Sequence, residues 1–330
     1  MINPAGGLWR WLCMQLHHDF NRRLGIGPTM RLCERVNRWR HRSLENRRQE
    51  LYRQQLAALL QEHDGFDQTL PGVLMRDGYA FDRSRSLPHL EQLLAEAEEV
   101  IAQRGGQDRS RHLDAQQPWF YPLHRGGDAE RYPSFLNFAL NSALIATVAH
   151  ELGSIPYLSV ARPPAFRLME SNSRYDTESH LGPRESQMFH LDIHSRPLLY
   201  VLVLLRDTDL DSGPWHFLPA STSARLARQI RYQARGVDYR VADAVALPRI
   251  DPGEIQVFTG KAGDILYIDS SRCFHYGSRQ AVVPRYQMMY SFTGAVRSDF
   301  FEDLMPLKDR PLGPQPSRLR RLVLSAPGRG

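Results

Sequence analysis

The chain of 330 residues holds only three cysteines, Cys13, Cys33 and Cys273, and none stands in a CxxC or similar ligand spacing. That excludes a disulfide-stapled fold and a cysteine-based zinc site, and the three read as reduced thiols of a cytoplasmic protein. No run of eighteen apolar residues occurs, so no segment is predicted to span a bilayer. The first residues lack the apolar core and small-residue cleavage site of a secretory signal. Internal repeats and low-complexity tracts are missing as well. Hydrophobic residues make up 42% of the chain, an ordinary share for a globular protein, so disorder is not the default reading.

Net charge is +6 and unevenly placed. Residues 1–56 carry eleven Arg against four acidic residues, and residues 308–330 carry six basic residues against Asp309. The remainder is net negative. Basic ends attract polyanions such as anionic lipid or nucleic acid through long-range fields. They also serve as ordinary solvated faces.

The pattern along the chain changes once. Leu8, Trp11, Leu12, Leu16, Phe20 and Leu24 follow a helical period, with a break at Gly25-Ile26-Gly27-Pro28. This amphipathic, Arg-flanked segment is a candidate for peripheral membrane contact through residues 1–40, or for packing on its own domain or in a dimer. Further helices are predicted from Ser43 to about His63, from Ser86-Leu87-Pro88 through Ile101, and from Ser134 to Leu152 with a stop at Gly153. Val73-Leu74-Met75 reads as a short extended piece, and residues 104–131 as a long loop. After Pro156 come short apolar or alternating runs between turn signals: 165–169, 187–192, 198–205, 215–218, 255–258, 265–268 and 286–292. A helical insertion is expected from Ser221 to about Ala234. Helices first and strands later predict an α+β protein whose β part is a sandwich or jelly roll.

Within the β-rich half the sharpest local signal is Phe189-His190-Leu191-Asp192. On a strand, residues i and i+2 face the same way, so His190 and Asp192 can share one metal. Eighty-five residues after His190 comes His275, in Cys273-Phe274-His275-Tyr276-Gly277 directly after an apolar strand. Two imidazoles and a carboxylate form the facial triad that holds iron(II) and leaves positions open. Ten residues beyond His275, Arg285 opens the last strong strand, where a guanidinium can take a carboxylate with two parallel hydrogen bonds. The whole arrangement is far more specific than any part of it.

The stretches "FHLDIHSRPLLYVLVLLRDTDLDSGPWHFLPASTS" and "GKAGDILYIDSSRCFHYGSRQAVVPRYQMMYSF" resemble the two halves of the phytanoyl-CoA dioxygenase-like family of Fe(II)/2-oxoglutarate-dependent oxygenases. The resemblance covers roughly residues 70–300 and is strongest over 185–295. It implies a double-stranded β-helix (jelly-roll, cupin-like) core with N-terminal helices packed outside. It implies Fe(II), 2-oxoglutarate and O2 as cofactor and co-substrates, His190, Asp192 and His275 as metal ligands, and Arg285 as the anchor of the distal 2-oxoglutarate carboxylate. The expected organisation is a basic helical extension over 1–65, a dioxygenase domain over 66–307 and a basic tail over 308–330. Two positions depart from the family pattern. Tyr200 stands where a Lys near the co-substrate is common, and Pro219-Ala220-Ser221-Thr222 replaces Pro-Gly-Ser-His. Asp192 argues against halogenation, which needs the carboxylate position opened for a halide.

Secondary candidates surround this set. Tyr200 and Gln187 are candidates for co-substrate contact, although strand parity turns Gln187 away from the face of Met188, His190 and Asp192. His194 continues that parity as an alternative ligand, and Arg279 competes with Arg285 from a turn. Arg167 lies on an early strand and faces either the pocket or the surface. His180, His216, Trp119 and Tyr121 are expected as loop, pocket or packing residues. The implied activity is hydroxylation of an unactivated C–H in a small-molecule or lipid-like substrate. A non-catalytic jelly-roll binding protein and an oxygenase at the inner membrane surface are the other readings. Nucleic acid is not an expected partner, since no basic-aromatic groove surrounds the motif.

Overall fold

The run Leu198–Leu204, Leu-Leu-Tyr-Val-Leu-Val-Leu, has the continuous apolar character of a strand covered on both faces. In the computed structural model it lies at the middle of the larger sheet. The structure describes residues 4–61, 69–107, 117–158, 166–176, 178–301, 312–313 and 316–324. The N-terminal half gives α1 (Pro4–Leu24), α2 (Ile26–Arg40), α3 (Arg42–Gln61), α4 (Thr69–Asp77), β1 (Tyr79–Asp82), α5 (Leu90–Arg104), β2 (Phe120–Pro122), α6 (Asp128–Arg131), α7 (Ser134–Ala139) and α8 (Ser142–Leu152). There follow β3 (Tyr157–Leu158), β4 (Phe166–Ser171), β5 (Leu198–Leu204), β6 (Trp215–Phe217), α9 (Ala220–Gln229), α10 (Asp243–Ala246), β7 (Gln256–Phe258), β8 (Ile265–Asp269), β9 (His275–Tyr276), β10 (Arg285–Thr293) and α11 (Arg318–Leu324).

All strand pairs are antiparallel. The larger sheet runs β1-β8-β5-β10-β4-β2, with β3 also paired to β10, and the smaller runs β7-β6-β9. Alternation along each strand divides the larger sheet into two faces. One sends Val201, Val203, Tyr267, Met288, Tyr290 and Phe292 into a core shared with α5, α7 and α8. The other sends Leu202, Leu204, Leu266 and Ile268 against Phe217 and Phe258 of the smaller sheet. Each such buried side chain contributes about 1.5–3 kcal/mol, so the two faces together fix the sheet between its helical cover and its partner sheet.

The helices follow from the apolar stripes. Leu90, Leu93, Ala97, Val100 and Ile101 are the buried face of α5. Arg48 ties α3 to the body: its buried guanidinium donates to the carbonyls of Ile155, Pro156 and Leu322 and lies 3.6 Å over the Tyr157 ring. The helix breaks at Gly25 as expected. Gly25 has φ 93, and a Cβ there would lie 2.5 Å from the Arg235 amide nitrogen. Cys13, Cys33 and Cys273 are free and buried. Among the described residues no helix is long and apolar enough to cross a membrane.

Five expectations for local structure need correction. Val73-Leu74-Met75 is helical, within α4, because Leu70, Val73 and Leu74 share one helical face against the core. The single helix over 134–152 is two: Asn141 leaves helical geometry, and its side chain caps α8 by accepting from the Leu144 amide at 2.8 Å. The stop at Gly153, φ 61, is as read. The loop over 104–131 contains β2 and α6, with 108–116 outside the described residues. The insertion after Ser221 ends at Gln229, before the left-handed Arg231 and Gln233. Residues 187–192 form no strand: a 3-10 turn over Glu185–Gln187 leads into lone bridges at Phe189 and His190. Residues 62–63 of the predicted third helix, residue 165 of the first predicted strand, and the boundaries at 65/66 and 307/308 lie outside the described residues.

Candidate metal centre and anion site

His190 and Asp192 are held by backbone pairing to the segment that carries His275. The His190 amide donates to the His275 carbonyl (3.2 Å) and the His275 amide to the His190 carbonyl (3.1 Å). Two residues on, the Asp192 amide donates to the Ser270 carbonyl at 2.9 Å. The shared facing of His190 and Asp192 thus arises from a lone bridge at His190 and the Asp192 bond to Ser270, not from a continuous strand. One ligand atom from each of His190, Asp192 and His275 lies within 4.8 Å of the others. His190 Nε2 is 4.0 Å from Asp192 Oδ1, and His275 Nε2 is 3.6 Å from Asp192 Oδ2. Such gaps are close to what one ion bridges with bonds of about 2.1 Å.

The donor chemistry fits a metal. The Nδ1 of His190 lies 2.9 Å from the Met188 carbonyl and that of His275 lies 3.0 Å from the Cys273 carbonyl. A carbonyl only accepts, so each Nδ1 carries the proton and each Nε2 presents a lone pair to the centre. Burial pushes His190 down to about 3, with His275 adding to the effect, and burial lowers His275 as well. Both imidazoles are therefore neutral ligands at ordinary pH. Burial pushes Asp192 upward, yet the neighbouring His275, His190 and His194 hold it below its ordinary range. The Trp215 indole stacks on His275 at 4.8 Å and 9° and fixes that ring.

Arg285, the first residue of β10, is 3% exposed. Its Nη2 donates to Ser278 Oγ at 3.3 Å, and Ser171 Oγ donates to the same hydroxyl at 2.6 Å. Arg285 Nε and Nη1 are buried with no hydrogen-bond partner. Burial lowers the guanidinium to about 9, so it stays charged at neutral pH. An isolated buried charge is strongly unfavourable, and a carboxylate meeting it through two N–H groups removes that penalty. The site joins the metal centre through Gly277, where a Cβ would lie 3.7 Å from Arg285 Nη2 and 3.5 Å from Trp215 Cδ1.

The remaining candidates separate by their partners. Tyr200 is half-buried on β5 with its ring against Trp215, and burial, with the Asp192 charge adding to it, holds its phenol well above its ordinary pKa. Gln187 reaches inward after all, because the 3-10 turn supplies the bend: its Nε2 donates to the Ser278 carbonyl at 3.0 Å and its Oε1 accepts from the Arg184 amide. His194 pairs with Asp299 at 2.8 Å and is not among the converging ligands. Arg279 is committed to both oxygens of Asp243 and to the Gln187 carbonyl. His216 stacks on Tyr276, and His180 is exposed. Trp119 is buried and donates to Ser186 Oγ, and Tyr121 packs on the helix-side core. Sequence reading missed Trp215, Ser270 and Ser278. The one available signal was proximity, since Ser270 and Ser278 flank His275 within five residues.

No protein-family model matches the chain, and no curated protein matches it. Solved structures similar to it include the epimerase SnoN from nogalamycin biosynthesis, described as non-haem and alpha-ketoglutarate-dependent. It is 17% identical, covers 79% of this chain and 91% of that one, and has a TM-score of 0.42. EctD from S. alaskensis with 2-oxoglutarate and 5-hydroxyectoine is 16% identical over 77% of this chain and 86% of that one, TM-score 0.48. HygX from Streptomyces hygroscopicus with nickel and 2-oxoglutarate is 15% identical over 69% and 87%, TM-score 0.40.

Proposed function

We propose that the chain is a non-haem Fe(II)- and 2-oxoglutarate-dependent oxygenase of the phytanoyl-CoA dioxygenase-like kind. It hydroxylates an unactivated C–H of a small or lipid-like metabolite. The observation that carries this reading is the buried, unpartnered guanidinium of Arg285 beside three converging metal ligands. A metal triad alone serves many chemistries; a metal triad with an unpartnered buried guanidinium points to a diacid co-substrate. We read the two antiparallel sheets as the walls of a double-stranded β-helix, residues 66–307 as the catalytic domain, and 1–65 and 308–330 as its basic flanks.

Iron(II) held by His190, Asp192 and His275 supplies O2-dependent oxidation coupled to decarboxylation of 2-oxoglutarate to succinate. The protein's part is positional. Arg285 takes the distal carboxylate through Nε and Nη1, while Ser278 holds Nη2 and so fixes the plane of the fork. The Ser270 carbonyl, by accepting from the Asp192 amide, sets where that carboxylate projects. Trp215 fixes His275 and shields it from water. Convergence of the three ligands also favours the enzyme over a non-catalytic binding protein of the same shape. The test is a succinate-release screen of purified protein against a metabolite library. Release by the wild type and none by Asp192→Ala supports the reading; equal release by both removes it.

A second reading adds location. Leu8, Trp11, Leu12 and Leu16 are exposed on α1, at 61, 51, 41 and 49%, beside exposed Arg22 and Arg23. That combination suits the interface of an anionic membrane, where a lipid-linked substrate is found.

A further inference from the structure

The face that β4, β10 and β5 turn toward the smaller sheet carries a second guanidinium. On β4, Phe166 and Leu168 enter the helix-side core, so alternation turns Arg167, Met169 and Ser171 to the opposite side. Ser171 confirms that direction, since its hydroxyl meets Ser278 Oγ, the atom that Arg285 touches. In register, Arg167 pairs with Met289 of β10, and Met289 with Leu202 of β5. Arg167 is half-buried and has no hydrogen bond or ion pair among the described residues. Met289, its neighbour on that face, packs in one cluster with Tyr200 and Trp215, and Trp215 stacks on His275, so this face of β4 and β10 is the one turned to the metal ligands.

What lies around it defines a second subsite. Met169 and Met289, both half-buried, border Arg167 on the same face, and the Gln287 Oε1 between the two arginines is buried without a partner. One diacid satisfies Arg285 and the metal. It leaves Arg167, whose β10 partner Met289 stands four residues from Arg285, uncompensated at the edge of an apolar surface of thioethers. We propose that Arg167 anchors the primary substrate, and that this substrate bears an oxyanion (carboxylate, sulfate or phosphate) on an apolar body that lies over Met169 and Met289. The proposal rests on the oxygenase reading, which assigns Arg285 to the co-substrate. Pairing of the anionic end with Arg167 then sets which carbon of the apolar body stands at the metal. Arg167 is thus a specificity-determining residue that never touches the reacting atoms.

Calorimetric titration of full-length protein loaded with Mn(II) and 2-oxoglutarate decides it, because Mn(II) gives binding without turnover. The probes are hexanoate, hexyl sulfate and hexyl phosphate, with hexanamide and hexanol as neutral counterparts. At least one anion is expected to bind tenfold or more tighter than either neutral probe. Arg167→Gln abolishes that preference, Arg167→Lys keeps part of it, and both keep Mn(II) and 2-oxoglutarate affinity within twofold of wild type. Equal binding of anions and neutral probes, or an undiminished preference in Arg167→Gln, overturns the proposal. So does loss of 2-oxoglutarate binding in Arg167→Gln, which assigns the residue to the co-substrate. Failure of the wild type to bind 2-oxoglutarate at all strikes the oxygenase reading instead.

Discussion

His190 and His275 stand eighty-five residues apart in the chain and exchange a pair of backbone hydrogen bonds, 3.2 and 3.1 Å, amide to carbonyl in both directions. The bridge places their rings 4.3 Å apart between centroids. The metal centre is therefore built by main-chain pairing first, and its side chains inherit their convergence from it.

Arg285 makes the sharpest separation between stability and function. Its charge is buried without a counter-ion, so Arg285→Met, close in volume, relieves a desolvation cost. Metal-free Arg285→Met is expected to be more stable than wild type by about 1–4 kcal/mol. The same variant loses 2-oxoglutarate affinity by at least about thirtyfold, the lower end expected for removing one partner of a buried charge pair. Urea unfolding and calorimetry read the two effects; a less stable variant contradicts the account of Arg285 as an unpaired buried charge that receives a carboxylate.

Acid sensitivity follows from His190. Its folded pKa is about 3, against an ordinary 6.5. Between those values the unfolded chain binds a proton on this imidazole and the folded chain does not. Stability of the metal-free protein therefore rises with pH up to about 6.5 and is lost as pH falls toward 3, at no more than about 1.4 kcal/mol per unit from this group. Urea midpoints between pH 4 and 7 should slope less steeply in His190→Gln. An unchanged slope places the acid sensitivity elsewhere.

The pattern His190-x-Asp192, His275, Arg285 was legible because each member is a rare residue type beside an apolar run. The central strand β5 was legible for the opposite reason, as a run with no polar side. That Trp215 stacks on His275 was not legible, because the two meet only through the pairing of β6 with β9. The expectation that residues 187–192 form a strand gave the right convergence by the wrong route. The bridge at His190 and the Asp192 amide bond to Ser270 brought Asp192 round, and the 3-10 turn before them brought Gln187 inward against its strand parity. Asn141 shows a local signal that the apolar stripe masked: a capping side chain inside a helical pattern divides the pattern in two.

Arg48 links the N-terminal helices to the body. Arg48→Met leaves the carbonyls of Ile155, Pro156 and Leu322 without their donor and is expected to cost about 3 kcal/mol or more. Thermal unfolding measures this, and a shift of less than a degree or so would show that water replaces the guanidinium.

For the membrane reading, the protein should sediment with vesicles containing phosphatidylglycerol and far less with neutral ones, with binding falling as salt rises. Trp11→Ser combined with Leu12→Ser removes two exposed apolar anchors of about 1.5–3 kcal/mol each and lowers partitioning tenfold or more. Equal sedimentation of wild type and variant removes the membrane from the account.

The most direct measurement is anaerobic absorption spectroscopy of the purified chain with Fe(II) and 2-oxoglutarate. A weak visible charge-transfer band should appear only when both are present. It should be absent from His190→Ala and His275→Ala, and in Arg285→Met it should need far more 2-oxoglutarate. No band in the wild type, or a band that survives loss of either histidine, contradicts a ferrous centre at these residues.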